Sequence, residues 1–122
     1  AAETEKTPVD AEAMLEYFDN DWDLFEESVK TFIVEYKKLL LSIRDALKAG
    51  QYPKAEQTAH ALKGMLKAFR ADRLSELAYA LEKKGRAGDV GGTAPLIKSL
   101  WNESRRLAEA LDGVLADRQH RQ

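Results

Sequence analysis

The sequence contains no cysteine, which excludes disulfide bonds, thiolate metal sites and cysteine nucleophiles. This usage agrees with the cytoplasmic location that we expect. No apolar run approaches the roughly 18 residues of a membrane-spanning helix, and no hydrophobic core of a signal peptide is present. The formal net charge of −2 gives no global attraction for nucleic acid or for an anionic membrane surface. We therefore expect neither nucleic-acid binding nor membrane insertion.

Proline is scarce as well, at 3 of 122 residues, and runs of β-branched residues are few. Hydrophobic residues make up 44% of the chain and charged residues 33%, and Ala, Leu, Glu, Lys and Arg are abundant. This composition favours an all-helical fold, because it combines residues of high helix propensity with enough apolar surface for a core. The length fits one domain, which we expect to be a monomer.

Apolar residues recur every three or four positions in five segments, and each segment is predicted to be a helix. The helices cover about residues 11–18, 22–49, 54–70, 72–85 and 93–116, with 51–53 as a short connection. Asp10, Asp72 and Thr93 are the expected N-caps of the first, fourth and fifth helices. The four longer helices predict an up-down-up-down antiparallel four-helix bundle, and the short first helix would cover one end. Residues 1–8 are expected to form a linker or tail, 9–116 the domain and 117–122 a polar C-terminal tail.

The third predicted helix has two different faces. Its apolar stripe consists of Ala55, Ala59, Leu62, Leu66 and Phe69, and its polar stripe of Glu56, His60, Lys63, Gly64 and Lys67. His60 is therefore predicted to face solvent, with Gly64 one turn further along. A Gly within a helix costs about 1 kcal/mol relative to Ala. Its position beside an exposed His suggests that a partner approaches the imidazole closely.

The hairpin formed by the third and fourth helices predicts a partner for His60. If the turn centres on Ala71, His60 and Glu82 are each eleven residues from it and lie at the same level. A carboxylate there would accept a hydrogen bond from Nδ1–H of His60 and leave Nε2 free as a nucleophile. Lys63 and Lys67 would stabilise a phosphoryl group on Nε2, because the group carries about two negative charges.

Each of these residues also has a simpler interpretation. Taken singly, His60 would be a surface histidine, Lys63 and Lys67 a solvated face, Glu82 a surface charge and Gly64 a helix-packing residue. His120 lies in the predicted tail, so the two histidines give no metal-ligand pattern. The sequence has no phosphate-binding loop, nucleophile elbow or HExxH motif.

The run Ala59-His60-Ala61-Leu62-Lys63-Gly64 resembles the signature of histidine-containing phosphotransfer (HPt) domains, the His-to-Asp relay modules of two-component signalling. The resemblance extends over about residues 9–115. It implies that His60 accepts a phosphoryl group from, or donates it to, an aspartate of a receiver domain. It also implies that Lys63 stabilises this group and that Gly64 provides clearance for the receiver. A Gln or Glu commonly stands at the position of Glu82.

Two positions depart from the family pattern. Family members usually have a small residue at the position of Lys67 and a Gly at the position of Arg70. Lys67 would either narrow the approach of the receiver or add to the phosphoryl-binding charge. Lys63, Lys67 and Arg70 recur at spacings of four and three, so we expect this basic patch to flank His60 and to steer an acidic partner surface.

The resemblance also implies the partners of the chain. These are a response-regulator receiver domain and a sensor histidine kinase, either as a separate protein or in the same polypeptide. The receiver would bring Mg²⁺, and we expect no cofactor or metal on this chain. The chain would be a phosphoryl carrier and not an autonomous enzyme. Two alternatives stay open: a bundle that uses the same face only for protein binding, and a purely structural helical domain.

Overall fold

A computed structural model describes residues 9–120, with side chains for residues 9–118. Within this part of the chain lie the helices α1 (Ala11–Tyr17), α2 (Trp22–Lys48), α3 (Tyr52–Ala68), α4 (Asp72–Ala87) and α5 (Thr93–His120), and no strand. The all-helical prediction is confirmed. α5 continues to His120, so residues 117–120 are helical where a polar tail was predicted. The tail predicted for residues 1–8 and the last two residues lie outside the described residues.

The four long helices form a closed ring in which α2 packs on α3, α3 on α4, α4 on α5 and α5 on α2. Short connections make consecutive helices antiparallel, which confirms the predicted four-helix bundle. The short helix α1 covers the end at which α3 and α4 join, because Phe18 packs against Phe25 and Phe69 with ring centroids 5.6 and 6.0 Å apart. None of the helices in residues 9–120 is long and apolar enough to cross a membrane.

The core is lined by the apolar stripes of all four long helices. Its fully buried large side chains include Phe25, Phe32, Leu40, Ile43, Leu62, Leu66, Leu81, Leu100, Leu107 and Leu111. The stripe predicted for α3 is buried along its whole length, from Ala55 to Phe69. This burial fixes the rotation of α3 about its axis, so the opposite stripe with His60 must face outward.

Three helix starts differ from the sequence prediction. Thr93 was predicted to be the N-cap of α5, but it is the first residue of the helix, and its hydroxyl donates to the Val90 carbonyl at 2.8 Å. Tyr52 and Pro53 were predicted to be part of a connection, but they form the first turn of α3, where a proline costs no helical hydrogen bond. Asp72 was predicted to be the N-cap of α4, but Ala71 occupies that position. Asp72 lies instead in the first helical turn, where a negative charge interacts favourably with the helix dipole. The predicted cap Asp10 does accept a hydrogen bond from the Ala13 amide, at 3.2 Å.

Arg70 closes α3 in a strained backbone conformation. Its φ is +59°, in the left-handed region, where a non-glycine residue costs about 1–2 kcal/mol. The amide of Arg70 donates to the Lys67 carbonyl at 3.0 Å, and that of Ala71 to the Leu66 carbonyl at 3.0 Å. These two bonds form a Schellman motif, whose left-handed position is usually a Gly. A Gly would adopt this conformation without the cost, which is a physical reason for the Gly that the family resemblance led us to expect in place of Arg70.

Gly85 and Gly88 were both predicted to end α4. Gly88, at φ +65°, does cap the helix, whereas Gly85 is buried inside it. A Cβ on Gly85 would lie 2.9 Å from the backbone nitrogen of Glu56. Real Cβ atoms do not come so close to backbone atoms, so α3 and α4 can approach here only because residue 85 has no side chain. Gly85 is therefore the packing glycine of the hairpin.

Gly64 of α3 and Gly85 of α4 are expected to respond in opposite ways to alanine. Gly85→Ala should lower the free energy of unfolding by about 1–3 kcal/mol, because the backbones of α3 and α4 must separate. Gly64→Ala should raise it by about 0.5–1 kcal/mol, because among the described residues nothing beyond the local helix backbone lies within 4 Å of its Cβ position, and Ala is the better helix former. Urea denaturation measures both values. A destabilised Gly64→Ala would show that Gly64 is a packing residue after all.

Candidate functional site

His60 stands on the outer face of α3 with its side chain 67% exposed. Its neighbours Ala59 and Leu62 are buried in the core and hold this part of the helix in place. One turn further along, no heavy atom of the described residues outside the local backbone of α3 lies within 4 Å of the Cβ position of Gly64, so the space beside the imidazole is open. The ring is therefore accessible to a macromolecular partner from this side.

Glu82 on α4 lies beside His60, as the hairpin geometry predicted. The Oε2 atom of Glu82 is 3.2 Å from Nδ1 of His60, and the Glu82 side chain is only 6% exposed. The turn spans residues 69–71 and centres on Arg70, one residue before the predicted centre. His60 then lies ten residues before the centre and Glu82 twelve residues after it, so Glu82 is displaced by about 3 Å along α4. Side chains tilt toward the N-terminus of their helix. In antiparallel helices these tilts bring His60 and Glu82 toward each other, which compensates for the displacement.

The second oxygen of Glu82 binds Lys63. The ammonium of Lys63 lies 2.8 Å from Oε1 of Glu82 and 4.7 Å from the ring centroid of Tyr79, and its side chain is only 16% exposed. Lys63 was expected to reach the solvent above the imidazole. Its charge is directed instead at the buried carboxylate, one helix away. Among the predicted phosphoryl-stabilising lysines, Lys67 is the one exposed to solvent.

Arg86 and Glu56 complete this network, and the sequence interpretation did not include Arg86. Arg86 donates from Nη2 to Oε2 of Glu82 at 3.2 Å and from Nε to Oε2 of Glu56 at 2.8 Å. The signal that could have revealed it is its spacing of four residues from Glu82, which places both side chains on one face of α4. His60, Lys63 and Arg86 thus hold the Glu82 carboxylate from three directions.

The protonation of Glu82 determines which nitrogen of His60 is free. Burial raises the pKa of the Glu82 carboxyl, but hydrogen bonds and positive charge from Lys63 and His60 outweigh it and hold the pKa below its usual range. Glu82 is therefore ionised at neutral pH. Because a carboxylate only accepts hydrogen bonds, the proton in the contact belongs to Nδ1 of His60. In the neutral ring, the lone pair then lies on Nε2, which points away from Glu82.

Two grooves flank His60 on α3. On the α4 side, a groove lined by Lys63, Lys67, Asp72, Ser75, Glu76 and Tyr79 contains charges of both signs. On the α2 side, a largely apolar groove is lined by Phe18, Leu24, Glu27, Ser28, Thr31, Met65, Ala68 and Phe69. Arg70 is exposed at the end of α3, beyond both grooves. Within the described residues, no three His, Cys, Asp or Glu residues form a group that could hold a metal ion.

The Glu82 network should make the stability of the protein depend on pH. A carboxyl whose pKa is lower in the folded than in the unfolded state stabilises the fold above the unfolded value, here about 4.5. This contribution is lost as the pH falls through the lower, folded value. At pH 7 we expect Glu82→Gln to lower the free energy of unfolding by about 1–3 kcal/mol, because Lys63 and Arg86 lose their anionic partner. The difference from the wild type should shrink below about pH 4.5.

Urea denaturation of the wild type and Glu82→Gln between pH 7 and pH 3 measures this difference. The exposed pair of Lys84 and Asp89, at 2.9 Å, offers a matched control. Asp89→Asn should change stability much less than Glu82→Gln, because exposed ion pairs contribute little. A Glu82→Gln difference that stays constant over the whole pH range would contradict a stabilising role for the ionised carboxylate.

Comparisons with known proteins give one match to a family model and one match of fold. The family model described as "Hpt domain" matches residues 27–117, which is more than half of the chain. The fold is similar to the crystal structure of histidine-containing phosphotransfer protein B (HptB) from Pseudomonas aeruginosa PAO1, with a TM-score of 0.77 and 23% sequence identity. That match covers 92% of this chain and 95% of the other. A comparison with curated proteins gives no match.

Proposed function

Because the chain belongs to the Hpt domain family and is a histidine phosphotransfer module of phosphorelay signalling, we propose that His60 is its phospho-acceptor. The observation that carries this assignment is the environment of the ring. Nδ1 is held by a buried carboxylate at 3.2 Å, and the remainder of the side chain is open to solvent. This arrangement leaves Nε2 as an oriented and accessible nucleophile.

The proposed reaction is transfer between Nε2 and the aspartate of a receiver domain. The Nε2 lone pair attacks the phosphorus of an aspartyl phosphate, a P–N bond forms, the P–O bond to the aspartate breaks, and the carboxylate leaves. The imidazole keeps its proton on Nδ1 and becomes cationic as the P–N bond forms. Glu82 stabilises this charge because its carboxylate is ionised and adjacent to Nδ1. Transfer to a receiver is the same step in reverse.

Lys63, Glu82 and Gly64 have different roles in this proposal. Lys63 holds Glu82 in place and adds a positive charge near the developing phosphohistidine. Glu82 orients the ring. Gly64 leaves room for the receiver, which is supported by the open space at its Cβ position.

Lys67 and Arg70 are proposed to contact the partner. Both are exposed on the part of α3 that follows His60. The receiver's active site is acidic because aspartates accept the phosphoryl group and hold Mg²⁺, so opposite charges would favour encounter. We assign Mg²⁺ to the receiver and no cofactor to this chain. The chain then acts as a monomeric cytoplasmic phosphoryl carrier without catalysis of its own, between a sensor histidine kinase and a receiver.

The alternative is a module that uses the same face for protein binding without phosphotransfer. It would need neither an oriented Nδ1 nor a free Nε2, whereas the ring of His60 has both. The presence of phosphate on His60 distinguishes the two functions.

Phosphorylation should occur on Nε2 of His60. Incubation with a phosphorylated receiver domain should give a label that is labile to acid and stable to base, as expected for a phosphoramidate. His60→Gln should abolish the label. The chain contains 2 histidines, so His120→Gln is a matched control that should keep full labelling. An acid-stable label, or one that survives His60→Gln, would exclude His60 as the acceptor.

Access to His60 should depend on the size of residue 64. Gly64→Gln should keep the fold, because the position is exposed and Gln is the better helix former. It should slow phosphotransfer by roughly two orders of magnitude, because displacing the partner's aspartate by about 1 Å has an effect of this size. Gly64→Ala, which adds one methyl group, should slow transfer much less. Stopped-flow or quench-flow transfer rates with one receiver measure both variants, and equal rates in Gly64→Gln and the wild type would contradict the clearance role.

A further inference from the structure

A third groove lies between α2 and α5, on the opposite side of the bundle from the α3–α4 pair that carries His60. The helices pack in the ring α2, α3, α4, α5, so the α2–α5 side and the α3–α4 side face away from each other. This α2–α5 groove is lined by Leu40, Leu41, Arg44, Lys48, Ala94, Ile97, Lys98 and Trp101. None of these residues contributes to the His60 site.

The floor of the α2–α5 groove is apolar and partly open to solvent. Leu41 is 39% exposed, and Ile97 and Trp101 are half-buried. Trp101 is held in place from below by Tyr36, with an edge-on contact of 6.3 Å between ring centroids. Apolar side chains that the fold leaves partly open in a groove can contact the apolar face of a partner helix.

The rim of the groove carries charges of one sign. Arg44, Lys48 and Lys98 are the charged residues that line it, and Lys37 extends the row with its ammonium 6.0 Å from the ring centroid of Trp101. Arg44 pairs with the exposed Asp45 at 3.0 Å. Neither Lys48 nor Lys98 has a carboxylate partner within the described part of the chain. The excess of positive charge is a local property of this rim, since the chain as a whole has a formal net charge of −2.

The length of the basic row along α2 fits a helix of about three turns. Lys37 and Lys48 are eleven residues apart on α2, which corresponds to about 16 Å or three helical turns. A third helix laid between two packed helices can insert its side chains between theirs. A flat lipid surface would instead require the apolar residues to protrude, whereas here they form the floor of a groove below the basic side chains.

We propose that the α2–α5 groove binds an acidic amphipathic helix of a partner protein. Its apolar residues would contact the floor formed by Leu41, Ile97 and Trp101, and its carboxylates would pair with the Lys48 and Lys98 ammonium groups. Binding here requires neither His60 nor phosphorylation. The charge-mixed groove of Lys63, Lys67, Asp72 and Glu76 beside His60 would not select the same helix.

The probe for this site is a synthetic peptide with Leu at helical spacings of three and four and Glu on both flanks. Titrated into the ¹⁵N-labelled full chain, it should shift the amide signals of residues 37–48 and 94–101 and leave those around His60 unchanged. Lys98→Glu should weaken binding roughly tenfold, because the attraction becomes a repulsion. Lys54→Glu is the matched control, since it makes the same charge change at an exposed position at the start of α3 and should bind the peptide like the wild type.

Further probes separate the other possible occupants. A scrambled peptide of the same composition should bind at least roughly tenfold more weakly, since it presents no apolar face. Equal binding of the two peptides, or equal effects of Lys98→Glu and Lys54→Glu, would overturn the proposal. It would also be overturned if vesicles of phosphatidylglycerol and phosphatidylcholine shifted these signals while the peptide did not. Signals in residues 37–48 and 94–101 that shift with protein concentration alone, together with a dimer in light scattering, would assign the groove to a second copy of the chain and overturn it as well.

Discussion

The site depends on one buried carboxylate. Removing an ionised carboxyl group from water costs several kcal/mol unless neighbouring charges compensate for it. In this protein, Lys63 and Arg86 supply that compensation for Glu82, at 2.8 and 3.2 Å. The carboxylate in turn holds Nδ1 of His60, which is otherwise exposed. A solvent-exposed histidine without such a partner would rotate freely and exchange its proton between both nitrogens, so the buried charge is what gives the exposed ring a defined reactive side.

The network can exist only because α3 and α4 lie unusually close together. Gly85 allows the backbone of Glu56 to approach to a distance that any side chain would prevent. At the other end of the hairpin, Arg70 adopts a left-handed conformation that sets the level of α4 relative to α3. The strain at Arg70 is tolerated because two Schellman hydrogen bonds and the burial of Phe69 stabilise the same turn. Both features place Glu82 within hydrogen-bond distance of His60, although neither touches the imidazole.

The sequence was sufficient to predict the features that depend on a single helix or on the symmetry of one hairpin. Apolar periodicity predicted the bundle and the outward direction of His60, because burying the stripe of Ala59 and Leu62 leaves no other orientation. The symmetry of the hairpin predicted that Glu82 lies near His60, even though the turn centre was misplaced by one residue. The direction of Lys63 was not predicted, because it depends on a carboxylate that belongs to another helix.

The packing role of Gly85 escaped prediction for a related reason. A glycine near the end of a helix is the usual signal for its termination, and only the position of the facing α3 backbone shows that Gly85 is needed for close approach. Arg86 was missed because an arginine four residues after a glutamate is common on helix surfaces, and nothing in the local sequence says that this glutamate is buried. Local patterns thus identify faces, whereas the contacts between faces decide which charges are functional.

The ring of four helices separates two surfaces with different electrostatic character. The His60 face combines an exposed imidazole, held by Glu82, with charges of both signs, whereas the α2–α5 groove combines an apolar floor with a cationic rim. If His60 is the phospho-acceptor, as proposed above, one partner must leave it before the next can react there, because a single Nε2 atom forms one P–N bond at a time. A partner held in the α2–α5 groove would leave His60 free. The linker between the bound helix and the partner's other domains would then raise the effective concentration of those domains at His60, without adding any contact to the His60 face.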